Sequence, residues 1–182
     1  MQENTINDVL NFWFKELQPQ QWFAKDEQLD LLIKQRFGSL LQAAASGELY
    51  QWRKTAQGRL AEIIVLDQFS RNIYRDQAAA FAQDGIALVL AQEAVAQGAL
   101  EQLNTEERTF LLMPYMHSES TLIHELAVPL FKQYARENSY VFELKHKEIV
   151  DRFGRYPHRN ALLGRTSNAE EIQFLQQPGS AF

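Results

Sequence analysis

An all-α fold is what this sequence predicts, and three observations predict it. Apolar residues recur at three- and four-residue spacing through most of the chain, the period that lines one face of a helix. The segments that carry this spacing begin at Thr, Ser or Asp and end at Gly or Pro, the punctuation that helices use. No run of four to eight residues alternates apolar with polar side chains or carries hairpin turn residues, so no sheet is expected. The 182 residues fit one domain, 1–182, because a single core stops growing only at about 250 residues. A 46% apolar and 12% aromatic content supplies enough burial to offset chain entropy.

The elements follow in order. Thr5 with Asp8 caps a first helix to about Leu17, with Ile6, Val9, Leu10, Trp13 and Leu17 at core spacing, and Pro19 ends it. Asp26 opens a second helix whose Leu29, Leu32, Ile33, Phe37, Leu40, Leu41 and Ala44 share a face, with Gly47 as its left-handed stop. Thr55 starts a third helix through Leu60, Ile63, Ile64, Leu66 and Phe69. Its early part is apolar nearly all round, which predicts a central position. Asp76 is read as the cap of a fourth helix running to Gly98, and Thr105 with Glu106 and Glu107 opens a short fifth that Pro114 should break. Ser118 is read as the cap of a sixth helix, bent at Pro129. A seventh covers roughly Val141 to Phe153, and Ser167 with Glu170 forms a capping-box pattern for a last short helix. Helices joined by short turns should pack as antiparallel neighbours.

Charge and composition narrow the function. Eighteen Lys and Arg against 23 Asp and Glu give a net charge of -5, which opposes binding to nucleic acid or an anionic membrane. With no cysteine, thiolate catalysis and Cys-ligated metal sites are excluded. Met1 to Asp8 lacks the basic start and apolar run of a secretory signal. Ala78 to Leu100 is interrupted by Gln83, Asp84, Gln92, Glu93 and Gln97, so it reads as a helix outside the membrane. A cytoplasmic location is expected.

Three polar segments carry the chemistry. At the end of the third helix, Gln68, Arg71, Asn72 and Arg75 recur at helical spacing with Asp67 beside them. Such a stripe on a central helix needs partners, because unpaired buried amides and guanidinium groups cost several kcal/mol, on the order of 2–7. In the second segment, Pro114 and Ser118 are expected to put His117 and Glu119 at a helix N-terminus, where free backbone N–H groups favour an anion. His117 titrates near neutral pH and suits proton transfer. The third segment collects Arg152, Arg155, His158, Arg159, Asn160 and Arg165 in an irregular stretch around Gly154 and Pro157, and arginine forks match carboxylate and phosphate oxygens. The bland alternatives are internal ion pairs: Asp67 and Glu119 with arginines, and the arginine cluster with Asp151, Glu170 and Glu171. His124, mid-helix, reads as structural. His117, Glu119, His146 and His158 lack close metal-ligand spacing, and no P-loop, nucleophile elbow or dinucleotide fingerprint occurs. No cofactor is therefore expected.

At Val9-Leu10-Asn11-Phe12-Trp13-Phe14, Trp22-Phe23-Ala24-Lys25-Asp26, Leu66-Asp67-Gln68-Phe69-Ser70-Arg71-Asn72, Met113-Pro114-Tyr115-Met116-His117-Ser118-Glu119 and Phe153-Gly154-Arg155-Tyr156-Pro157-His158-Arg159-Asn160, the chain resembles a bacterial family, domain-of-unknown-function family nine-two-four. The resemblance covers most of the chain. It implies a tetratricopeptide-like helical fold, an α-α superhelix, and no activity, since the family has no assigned reaction. Its signature polar positions fall on Asp67, Gln68, Arg71, Asn72, His117, Ser118, Glu119, Arg155, His158, Arg159 and Asn160.

The reading that results is a pocket for a small anionic molecule, a phosphate or carboxylate. His117, Glu119 and His158 are its candidate acid–base groups. Asp67, Gln68, Arg71, Asn72, Arg75, Ser118, Arg155, Arg159, Asn160 and Arg165 are its candidate ligand-binding residues. The competing readings are a protein or peptide interaction module and a metal-assisted hydrolase. Oligomeric state is not legible from these features.

Overall fold

In the computed structural model, which describes residues 5–181, Thr5 and Asp8 close the predicted capping box and open α1, Ile6–Asn11. The rod continues as one wide π turn, Phe12–Glu16, in which Leu17 N–H donates to the Phe12 carbonyl at 3.1 Å. Residues 1–4, part of the segment read as lacking a secretory signal, lie outside the described residues. Asp26 caps α2, Glu27–Ala45, through the N–H groups of Gln28 and Leu29. Gly47, at φ 76°, turns the chain away after it.

Thr55 caps α3, Ala56–Ile64, which runs on through a second π turn, Val65–Phe69, into α4, Ser70–Ile73. This rod is the centre of the molecule: Leu60, Ala61, Ile63, Ile64, Val65, Leu66 and Phe69 have no exposed surface, and α1, α2, α5 (Asp84–Ala96) and α6 (Thr105–Met116) pack around it. An aromatic cluster joins it to its neighbours. Phe69 stacks on Phe37 at 4.8 Å, Trp13 meets Phe69 and Phe110 edge-on, and Trp22 donates its indole N–H to the Trp13 carbonyl at 2.8 Å.

After α6 come α7, Thr121–Tyr134, and α8, Glu137–Phe153, which pack side by side, and α9, Ala169–Leu175. No strand occurs among the described residues, as the absence of alternation predicts. None of their helices is long and apolar enough to cross a membrane.

Four local expectations are corrected. Asp76 does not cap a helix: it sits at φ 60° and pairs with Lys25, and α5 begins only at Asp84 after a 3-10 turn, Ala78–Phe81. Pro114 lies inside α6 rather than ending it. A proline removes one helical hydrogen bond and costs about 3 kcal/mol, but every residue from Thr109 to Met116 is buried, and burial of such side chains contributes about 1.5–3 kcal/mol each. Ser118 is therefore not a helix cap. Residues His117 to Ser120 form a strap between α6 and α7, with Ser120 at the N-cap position. Finally, α9 is capped by Asn168 and Glu171, one residue beyond the Ser167 and Glu170 pattern. Both patterns are present in the chain, and the Arg155–Glu171 ion pair at 2.6 Å favours the second.

Candidate functional site

The π turn Val65–Phe69 inserts one extra residue into the central rod and turns Asp67 and Gln68 into the interior. Asp67 has no exposed surface, so its carboxylate needs donors, and three side chains supply them. Gln68 Nε2 donates to Oδ2 at 2.6 Å, while Arg71 Nη1 and the His117 Nδ1–H reach Oδ1 at 3.1 and 2.7 Å. Burial alone would raise the carboxyl pKa, but Arg71, His117 and Gln68 hold it well below the usual carboxylate range. Asp67 is thus an acceptor only, which requires His117 to carry its neutral-state proton on Nδ1 and to keep its lone pair on Nε2.

Arg71 is the bridge to the next element. Its Nη1 and Nη2 grip Asp84, in the first turn of α5, at 2.8 and 3.0 Å. Asp84 Oδ2, which already accepts from Arg71 Nη2, also accepts from Arg159 Nη1 at 3.1 Å, and Arg159 Nη2 donates to the His117 carbonyl at 3.0 Å. Residues distant in sequence, Arg71, His117 and Arg159, therefore meet around two carboxylates. The Arg159 guanidinium lies over the rings of Phe81 and Tyr156 at 4.5 and 4.8 Å. Its Nε is buried without a hydrogen-bond partner. Burial, reinforced by Arg71, lowers the Arg159 pKa from its ordinary value, with Asp84 opposing.

A pocket of about 320 Å³ opens beside this network, lined by His117, Ser118, Glu119, Asp84 and Arg159 together with Phe81, Leu88, Pro114 and Leu163. Burial and Arg71 push the His117 pKa below its ordinary value against the pull of Asp67, so the ring facing the pocket is neutral at pH 7. Glu119 is already engaged: Arg165 grips it at 2.7 and 2.9 Å and the Tyr156 N–H donates to it at 2.7 Å. Burial pulls its pKa up, but these donors keep it lowered. It is a fixed carboxylate that ties the strap to the loop at 156–165.

The remaining predicted residues divide. Asn160 accepts from Arg165 at 2.9 Å and so backs the Glu119 clamp. Asn72 and Arg75 turn the other way and hold Asp30 of α2, both at 2.8 Å. Arg155 pairs with Glu171, holding that carboxyl down at about 2, and anchors α9. His158 packs its ring 5.7 Å from Tyr156 and does not line the pocket. Burial, then Arg159, lowers its pKa to about 4. The internal pairing weighed as an alternative is thus present alongside the pocket, except that Asp151 pairs with Lys147 rather than with the arginine cluster. His124, read from the sequence as structural, is fully buried, 2.6 Å from Glu143. His146 bonds its own helix at the Phe142 carbonyl, 2.8 Å away. Among the described residues no three His, Asp or Glu side chains are grouped so as to hold a metal ion.

Asp84, Phe81 and Tyr156 are site residues that sequence reasoning missed. An acidic residue in a first helical turn has a sufficient local explanation in the helix dipole, so nothing in its neighbourhood signals a partner 13 or 75 residues away.

Comparison with known proteins agrees with this architecture. The family model described as "Bacterial protein of unknown function (DUF924)" matches residues 9–179. A solved structure, that of the protein of unknown function ATU0120 from Agrobacterium tumefaciens, superposes with a TM-score of 0.89 at 35% identity. The match covers 94% of this chain and 96% of that one. A search of curated proteins found no match.

Proposed function

We propose, from the premise that this chain belongs to the DUF924 family of bacterial proteins of unknown function, that its pocket binds a small metabolite bearing a carboxylate or phosphate, with His117 as proton acceptor. The observation that carries this reading is the meeting of a neutral, Asp67-oriented imidazole with a buried arginine in one pocket lining. Asp67 fixes the ring and leaves Nε2 for the ligand. Arg159 spends only two of its N–H groups on Asp84 and the His117 carbonyl. A guanidinium 6% exposed that shares its one carboxylate with Arg71 is stabilised by a further anion. Phe81, Leu88 and Leu163 suit the uncharged part of such a molecule, and the volume lies near the lower end of small-molecule sites, about 300–1,000 Å³.

Thermal melts against a panel of phosphates, carboxylates and nucleotides test this. A true ligand at about 100 times its Kd adds about 2.7 kcal/mol, which is about 5–11 °C for a chain of this size. The shift should vanish in Arg159→Gln, weaken in His117→Gln and persist in Arg155→Ala, whose side chain is committed to α9. Equal shifts in the native protein and the first two variants would refute the reading.

A second reading, a docking module for a protein or peptide, draws support from apolar side chains left exposed on α7 and α8: Leu122 and Leu126, Val141 and Phe142. It predicts that charged substitutions there abolish capture of a partner without changing the ligand shifts.

A further inference from the structure

The C-terminus of α6 and the strap after it end in three successive carbonyls, and each is held by a side chain from a later part of the chain. Tyr156 Oη–H donates to the Met116 carbonyl at 2.5 Å, Arg159 Nη2 to that of His117 at 3.0 Å, and His124 Nε2 to that of Ser118 at 2.8 Å. Helix ends ordinarily leave such carbonyls to water or to a glycine turn. Here two of the donors, Tyr156 and His124, have no exposed surface.

The proton positions follow from the partners. The Ser118 carbonyl can only accept, so His124 carries a proton on Nε2. Tyr156 spends its own proton on Met116, and its oxygen lies 3.1 Å from the same His124 nitrogen. On the far side of the ring, Nδ1 is 2.6 Å from Glu143 Oε1, while Glu143 Oε2 is buried without a partner. A carboxyl with one oxygen undonated and no exposed surface is stabilised as the neutral acid, and burial raises its pKa accordingly. Held by Glu143 Oε1 at Nδ1 and by the Ser118 carbonyl at Nε2, the His124 ring has one orientation, as a second partner fixes the ring of a metal-ligating histidine.

We infer that His124 and Tyr156 are positioning residues for His117: they clamp the backbone on either side of it, so that its ring stays on Asp67 through Nδ1 and presents Nε2 to the pocket. The inference rests on the pocket reading above only in giving the ring a ligand to meet; the clamp itself is a statement about the ring's orientation.

Four histidines make the test direct. Imidazole carbon and nitrogen resonances, followed through pH by NMR on the ligand-free protein, report the tautomer and titration of His117. The native protein should show a single Nδ1–H tautomer titrating below the ordinary histidine value of about 6.5. Tyr156→Phe, which removes one oxygen and keeps the ring, should raise that titration toward the ordinary value and mix the tautomers. His124→Ala should do the same, and His124→Gln, which keeps an N–H for the Ser118 carbonyl, should restore the native pattern. Should His124→Ala fail to fold, Tyr156→Phe decides alone. An unchanged His117 tautomer and titration in folded Tyr156→Phe overturns the proposal. No ligand is needed, so altered resonances combined with a silent ligand panel would sink the pocket and leave the clamp standing.

Discussion

Replacing Asp67 by asparagine changes one atom type in the centre of the site while keeping its shape. Three donors converge on the native carboxylate, from Gln68, Arg71 and His117. Asparagine offers one oxygen and an N–H₂ group that itself donates, so at least one donor meets another donor. A buried group left unsatisfied costs about 1–3 kcal/mol, and the bonds that survive lose their charge assistance at about 1 kcal/mol each. The sum, about 3–5 kcal/mol, agrees with the general cost of breaking a buried ion pair. It corresponds to a fall in Tm of about 6–20 °C at pH 7. The pH dependence has a definite sign. Asp67 has a folded pKa below its unfolded value of 3.8, so its contribution is complete above that value and drains away as pH falls below it. The native protein should therefore lose its advantage over Asp67→Asn on acidification. Thermal melts followed by circular dichroism from pH 7 to pH 3 measure both quantities. A fall under about 2 °C at pH 7, or a gap that widens with acid, would refute this account of the network.

Two further outcomes follow from packing and titration. In α3 a Cβ at Gly58 would overlap the Trp52 carbonyl, whereas at Gly38 in α2 it meets only Lys34 Cγ at 4.0 Å. Gly58→Ala should destabilise by about 1–3 kcal/mol despite alanine's helix preference, and Gly38→Ala should stabilise by about 0.5–1 kcal/mol; equal melting shifts for the two would contradict the packing. Glu143 has a raised folded pKa, so its contribution is complete below the unfolded value near 4.5 and lost as pH rises through the folded one. Glu143→Gln stays neutral and keeps a donor for His124, so urea denaturation at pH 5 and pH 8.5 should find the variant gaining on the native protein at the higher pH. A constant difference between them would contradict the raised Glu143 pKa.

The local rules and the fold divide along one line. Caps such as Thr5 with Asp8 and Asp26, and the left-handed glycine at 47, were legible because each is settled by atoms within about four residues. Helical periodicity was legible for the same reason, and with it the all-α class. The polar residues of the site were legible as types: a buried helix bearing Asp67, Gln68 and Arg71 must find partners wherever it lies.

What only tertiary structure decided is which partners. One stripe in the sequence, Gln68 to Arg75, is divided among partners from different parts of the chain: Arg71 meets Asp84 while Asn72 and Arg75 meet Asp30. Pro114 stays helical because burial around it outweighs a lost backbone bond, and that keeps His117 in a strap rather than at a helix N-terminus. Sequence by itself determined that this chain is helical and that polar groups must be satisfied inside it. The side on which they are satisfied is a competition among contacts 13 to 75 residues apart, each worth about 1–3 kcal/mol, and only the packed chain resolves it.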